Sequence, residues 1–167
     1  MDEVERVPHR MNKTTVIQKI IKTLQSELET YVRAAKFSHA EATAEENRAE
    51  NKYDTRGLEA SYLAAGQANK VMELESAIEA FENLKDQTTA GVVEIGSLVE
   101  LEQDDFVEFY LIGPTAGGTE VELRGKEVLV ITPESPLGSQ LMDHETGDQC
   151  TLEVGGRQQK ATVLSVS

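Results

Sequence analysis

Residues 12–56 contain neither glycine nor proline, and apolar side chains recur through them in alternating steps of four and three: Ile17, Ile21, Leu24, Leu28, Tyr31 and Ala35. That spacing lays one apolar seam along one face of an α-helix, as in coiled coils. A second seam follows in the same steps: Ala60, Ala64, Gln67, Val71, Leu74, Ile78 and Phe81. Between the two lies ENKYDTRGLEASY, residues 50–62, where the turn formers Asn51, Asp54 and Gly57 interrupt the helix formers. The bulky residues of both seams lie far from this bend. The pattern predicts an antiparallel helical hairpin over residues 12–90, with its tip near 50–59. The first helix starts with Asn12 or Thr14 as N-cap and runs to about Glu50, and each arm spans on the order of 40–55 Å. Toward the tip the seam thins to alanine and polar residues, which makes that end narrow and weakly held. Residues 1–11, MDEVERVPHRM, are polar and aperiodic and are expected to form a flexible tail.

From Gly91 the texture changes. SLVELE (97–102), FVEFYLI (106–112), TEVEL (119–123), EVLVIT (127–132), QCTLEV (149–154) and QKATVLSV (159–166) read as strands separated by glycine, proline and aspartate. Gly155-Gly156 is a strong hairpin signal, because glycine tolerates positive φ. SPLGSQLMD (135–143) offers Ser135 as an N-cap and Pro136 at the first helical position, with Leu137 and Leu141 on one face. The fold class is therefore α+β: an N-terminal helical hairpin, then a small antiparallel β domain with one short helix over 91–167. Cys150 alternates with Leu152 and Val154 and is expected to be a buried apolar side chain.

Charge separates the same two modules. Among the 167 residues the formal net charge is −14. Residues 1–91 carry 16 acidic and 12 basic side chains, whereas residues 92–167 carry 14 and 4. Duplex DNA is an unsuitable direct partner for such a surface. A single cysteine excludes an internal disulfide and a multi-cysteine metal site. No apolar run is long enough for a membrane span, and no signal peptide is visible, so the chain reads as cytoplasmic. Phosphate loops, zinc motifs and nucleophile elbows are missing from the sequence, and His9, His39 and His144 are scattered.

Ile131–Val166, with its Ser-Pro-Leu-Gly run, a leucine four residues after Leu137, and Gly147-Asp148 before a terminal hairpin, resembles the C-terminal domain of the bacterial Gre transcript-cleavage factors. Tyr62–Glu75 (YLAAGQANKVMELE) looks like the returning helix of that family. The resemblance implies an FKBP-like C-terminal domain that docks at the rim of the RNA polymerase secondary channel. It also implies a hairpin inserted through the channel, reaching the RNA 3′ end. Acidic tip residues would then help hold a second Mg²⁺ at the polymerase active site, with no cofactor bound by the factor alone. The factor itself is not an enzyme and is expected to be a monomer.

The family's tip motif, Asp-Leu-Lys-Glu-Asn-Ala-Glu-Tyr, fits incompletely. With Tyr62 on the tyrosine, Ala60 matches the alanine, while the two leading acids fall on Thr55 and Leu58. Asp54 and Glu59 lie one position away and, with Glu50, are the candidate metal-contributing acids. Tyr53 and Arg56 are candidate contacts to the channel walls. For docking, the candidates are Pro133, Ser135, Pro136 and Leu137; the alternative for Pro136 and Leu137 is that they only start and anchor the short helix. A channel-binding regulator without cleavage activity is the competing function. Prolyl isomerisation is poorly supported, since Phe106, Phe109 and Tyr110 are the only aromatics of the β module and alternate along one strand. A coiled-coil adaptor is the unspecific alternative.

Overall fold

A computed structural model describes residues 10–43 and 56–167 of the chain, with side chains from 42 to 62 excepted. Two helices come first, α1 (Lys13–Thr43) and α2 (Arg56–Glu82). Asn12 caps α1: its Oδ1 accepts from the Thr15 N–H at 3.0 Å, and its carbonyl accepts from Val16 N–H at 3.1 Å. The first bond satisfies a donor that a helix start leaves open, and the second is the first regular bond of the helix. Gly57, read as part of the bend, instead stands in the first turn of α2. The first turn has no intrahelical partner for its N–H groups, so glycine costs little there.

The seams are buried where their residues are bulky. Ile17, Ile21 and Leu24 are buried on α1, and Leu74 and Phe81 on α2. Val16, Ile20 and Ala77 are buried as well, which widens each seam into a stripe. Leu28, Tyr31 and Ala35 are only half-buried, consistent with a seam that fades along α1. Lys70 ties the arms together, with Nζ 4.0 Å from Glu27 and 5.9 Å from the Tyr31 ring centroid. Exposed pairs of this kind contribute register more than stability. Among the described residues the Oε1 atom of Gln67 is buried without a hydrogen-bond partner, an unfavourable polar group inside the seam.

The chain divides into two compact units, one of residues 20–83 and the other of residues 1–19 with 84–167. In the second unit, β1 (Leu98–Gln103), β2 (Phe106–Ile112), β3 (Glu120–Leu123), β4 (Lys126–Ile131), β5 (Gln149–Val154) and β6 (Arg157–Val166) form one sheet. Their order is β3-β4-β2-β1-β6-β5. The sheet is antiparallel except for one pair, β2 with β4, which runs parallel from Phe109↔Val128 to Ile112↔Ile131. That exception departs from the all-antiparallel expectation. Its cause is placement: β3 turns back on β4 at Arg124-Gly125, and β4, not β3, lies beside β2.

Turn chemistry sets the hairpins. Gly155 and Gly156 have φ of 58° and 77°, the two left-handed residues of a tight β5–β6 connection. One face of the sheet carries Val99, Leu101, Tyr110, Ile112, Leu152 and Val163, covered by Leu141 from α3 (Pro136–Leu141). Tyr110 donates to Glu108 at 2.8 Å, and burial together with that bond pushes its phenol well above the ordinary range. No helix among the described residues is long and apolar enough to cross a membrane.

Candidate functional site

The best-defined candidate surface is the turn that leads into α3. Ser135 organises it from both sides. Its hydroxyl donates to the Thr132 carbonyl at 2.7 Å and accepts from the Gly138 N–H at 3.0 Å. Its backbone N–H also donates to Thr132 O, at 3.0 Å. Ser135 is thus the N-cap, with extended φ and ψ of −68° and 152°, and Pro136 follows at the first helical position. Proline suits that position because its missing N–H would have had no helical partner. Gly138 is buried, and a Cβ there would overlap the Thr132 carbonyl oxygen, so no other residue fits without moving the backbone.

The candidate residues of this turn differ in what they offer a partner. Pro136 and Glu134 are exposed, while Pro133 and Ser135 are half-buried. Leu137 is half-buried and packs against the core formed around Leu141. It anchors α3, which leaves Pro136 as the outward apolar group of the run.

Sequence reasoning did not single out Gln140, yet its amide is the most heavily engaged side chain here. Nε2 donates to Pro136 O at 2.7 Å and to Glu153 O at 3.1 Å, and Oε1 accepts from Glu153 N–H at 2.7 Å. Glu153 belongs to β5, the sheet's outermost strand. The partners stand 13 residues apart, and no local sequence signal links them.

Glu50, Tyr53 and Asp54 lie outside the described residues, and Arg56 and Glu59 stand in the first turn of α2. Among the described residues, no group of three His, Cys, Asp or Glu side chains is placed to hold a metal ion.

Cys150 is half-buried, not enclosed as its alternation with Leu152 suggested. It borders a surface hollow of about 380 Å³ with Glu102, Asp104, Asp105 and Lys160. Cys150 still packs against the core that encloses Leu152 on the same strand, but it lies nearer the strand's start, where that cover is incomplete. Desolvation, then the nearby Asp148 carboxylate, raises the Cys150 thiol above its ordinary value. The native thiol therefore alkylates more slowly at pH 8 than the unfolded one, by an expected severalfold. Timed iodoacetamide labelling with and without guanidinium reads this directly, and equal rates would contradict it. With the folded value raised, the associated stability is present below the unfolded thiol's range of about 8.5 and is lost as pH rises through the folded value.

Comparison with known proteins places the β unit. Residues 87–167 match the family described as "Transcription elongation factor, GreA/GreB, C-term". No curated protein matches the chain. Among solved structures, the chain is similar to GreA factor homolog 1 (Gfh1) of Thermus thermophilus, with 18% identity and a TM-score of 0.37 over 92% of this chain and 94% of that one. Gfh1 of Thermus aquaticus gives 21% and 0.38 over 93% and 96%. The elongation factor GreA/GreB from Nitrosomonas europaea gives 19% and 0.32 over 57% and 90%. Residues 87–167 thus form a domain of the GreA/GreB C-terminal type, and through that domain the chain is similar to the GreA/GreB transcription elongation factors.

Proposed function

We propose that this chain is a cytoplasmic, monomeric bacterial elongation factor that binds RNA polymerase and acts on its active centre, promoting cleavage of backtracked RNA. The observation that carries the reading is the combination of a GreA/GreB C-terminal domain with a preceding helical hairpin. The segment joining the two helices bears Glu50 and Asp54, and Glu59 follows in the first turn of α2. In this reading the β unit docks at the rim of the secondary channel through Pro133, Ser135, Pro136 and Leu137. The hairpin enters the channel, with Tyr53 and Arg56 steering against its walls.

The chemistry asks little of the factor itself. Carboxylates are the hard oxygen donors that Mg²⁺ prefers, and one or two are enough when phosphate and water complete the shell. Asp54, with Glu59 and Glu50 beside it, would supply such donors to an ion shared with the polymerase, near the RNA 3′ end. When bound, that ion would help polarise the attacking and leaving oxygens of phosphodiester hydrolysis. The chain needs no nucleophile of its own, in keeping with its scattered histidines.

One observation favours a second reading, a channel-binding regulator without cleavage activity. In the family's tip motif the leading acids stand where this chain has Thr55 and Leu58.

Transcript cleavage in stalled, backtracked polymerase with Mg²⁺ separates the two. Under the first reading the protein accelerates RNA shortening, and Asp54→Ala reduces that acceleration by about 10²-fold, the scale for losing an electrostatic contributor in a catalytic centre. Suppression of a known cleavage factor, without stimulation, would establish the second reading. If the protein does neither, both readings fail.

A further inference from the structure

We propose that Gln140 is the positioning residue of the docking turn, its amide serving as a surrogate strand that fastens α3 to the edge of β5. The proposal rests on the reading of Pro133–Gly138 as the docking surface. Both backbone groups of Glu153 are engaged by the Gln140 amide, in the paired donor-and-acceptor pattern that a neighbouring strand would present. The same Nε2 reaches back one turn to the Pro136 carbonyl. A single side chain thereby joins the exposed proline of the turn to a strand 13 residues away.

The remaining restraints on α3 show why this joint matters. The helix has six residues, too few to persist by its own hydrogen bonds. Leu137, Leu141 and Met142 hold its inner face on the core, Ser135 fixes its start on Thr132, and the Asp143 N–H fixes its end on the Val93 carbonyl. None of these reaches the edge of β5. Gln140 supplies that lateral tie and sets where Pro136 sits relative to the sheet's border. The contact lies wholly within one compact unit, so it holds whatever the hairpin does.

The test measures affinity of the intact protein for bacterial core RNA polymerase, together with native-state amide exchange. Pro136→Asp comes first, because aspartate is well accepted at a helix start and the position is exposed, so the outward group changes while the core contacts of α3 stay. It is expected to weaken binding, and unchanged binding would remove the docking surface and this proposal with it. Gln140→Ala is expected to weaken binding about five- to tenfold, to accelerate exchange at the Glu153 N–H, and to leave the maximal effect at saturating factor unchanged. Gln140→Glu keeps the acceptor for the Glu153 N–H but sets a carboxylate oxygen against the Pro136 and Glu153 carbonyls, so it is expected to bind no better than Gln140→Ala.

A role confined to fold stability would lower the melting temperature without changing the dissociation constant of the folded fraction. If Pro136→Asp weakens binding while Gln140→Ala exchanges faster at Glu153 and binds normally, the positioning role is overturned and the docking surface stands. Unaltered exchange at Glu153 would overturn the proposal at its structural root.

Discussion

Gly138→Ala lowers the melting temperature of the β unit by roughly 12–24 °C. The added methyl group meets the Thr132 carbonyl oxygen, and the Ser135 hydroxyl stands at 2.7 Å. Backbone cannot rotate away as a side chain can, so the turn must open and surrender its cap. Forced overpacking of this kind costs about 3 kcal/mol. For a unit of this size each kcal/mol moves the midpoint by about 4–8 °C. Calorimetry on the intact protein gives the value, and a shift below about 4 °C would show that the turn relaxes without loss. The same substitution on an ordinary exposed helix would stabilise, which is why the sign is informative.

Leu141→Ala is the second large effect. Leu141 is fully buried and is the residue by which α3 enters the core beside Leu152 and Val163. Truncation removes its burial and leaves a cavity, a loss of about 2–5 kcal/mol. Leu141→Met conserves volume and costs less than about 1.5 kcal/mol. Urea unfolding of both variants checks the pair, and equal losses would mean that the site is insensitive to volume. The alanine variant also loosens the Pro136 turn, so polymerase affinity should fall in it and recover with methionine.

Much of this architecture is visible in the sequence because the deciding interactions are local. Phe106–Ile112 and Gln149–Val154 emerge with the ends that glycine, proline and aspartate mark for them. Asn12 and Ser135 act as caps because a short polar side chain beside free N–H groups needs no distant partner. The insertion of β4 between β3 and β2 was not visible, since strand order depends on which edge is open when the chain returns. Nor was Gln140, whose role depends on Glu153 lying across space. The half-exposure of Cys150 was not visible either, because alternation reports a face and not how far along the strand its cover extends. The tip is legible only as a motif with displaced acids: Thr55 and Leu58 stand where carboxylates are expected, and spacing alone does not say whether Asp54 and Glu59 substitute for them.

The sheet's two borders are guarded by different physics. On β5, Gln140 occupies Glu153 with hydrogen bonds. On β3 the strand is only four residues long and carries Glu120 and Glu122 as exposed charges. Ions screen repulsion between carboxylates and leave a neutral amide bond almost untouched. Concentrated salt therefore weakens one border and spares the other. Salt thus unmasks β3 while the bond to Glu153 persists, so strand pairing between molecules is expected to begin at β3.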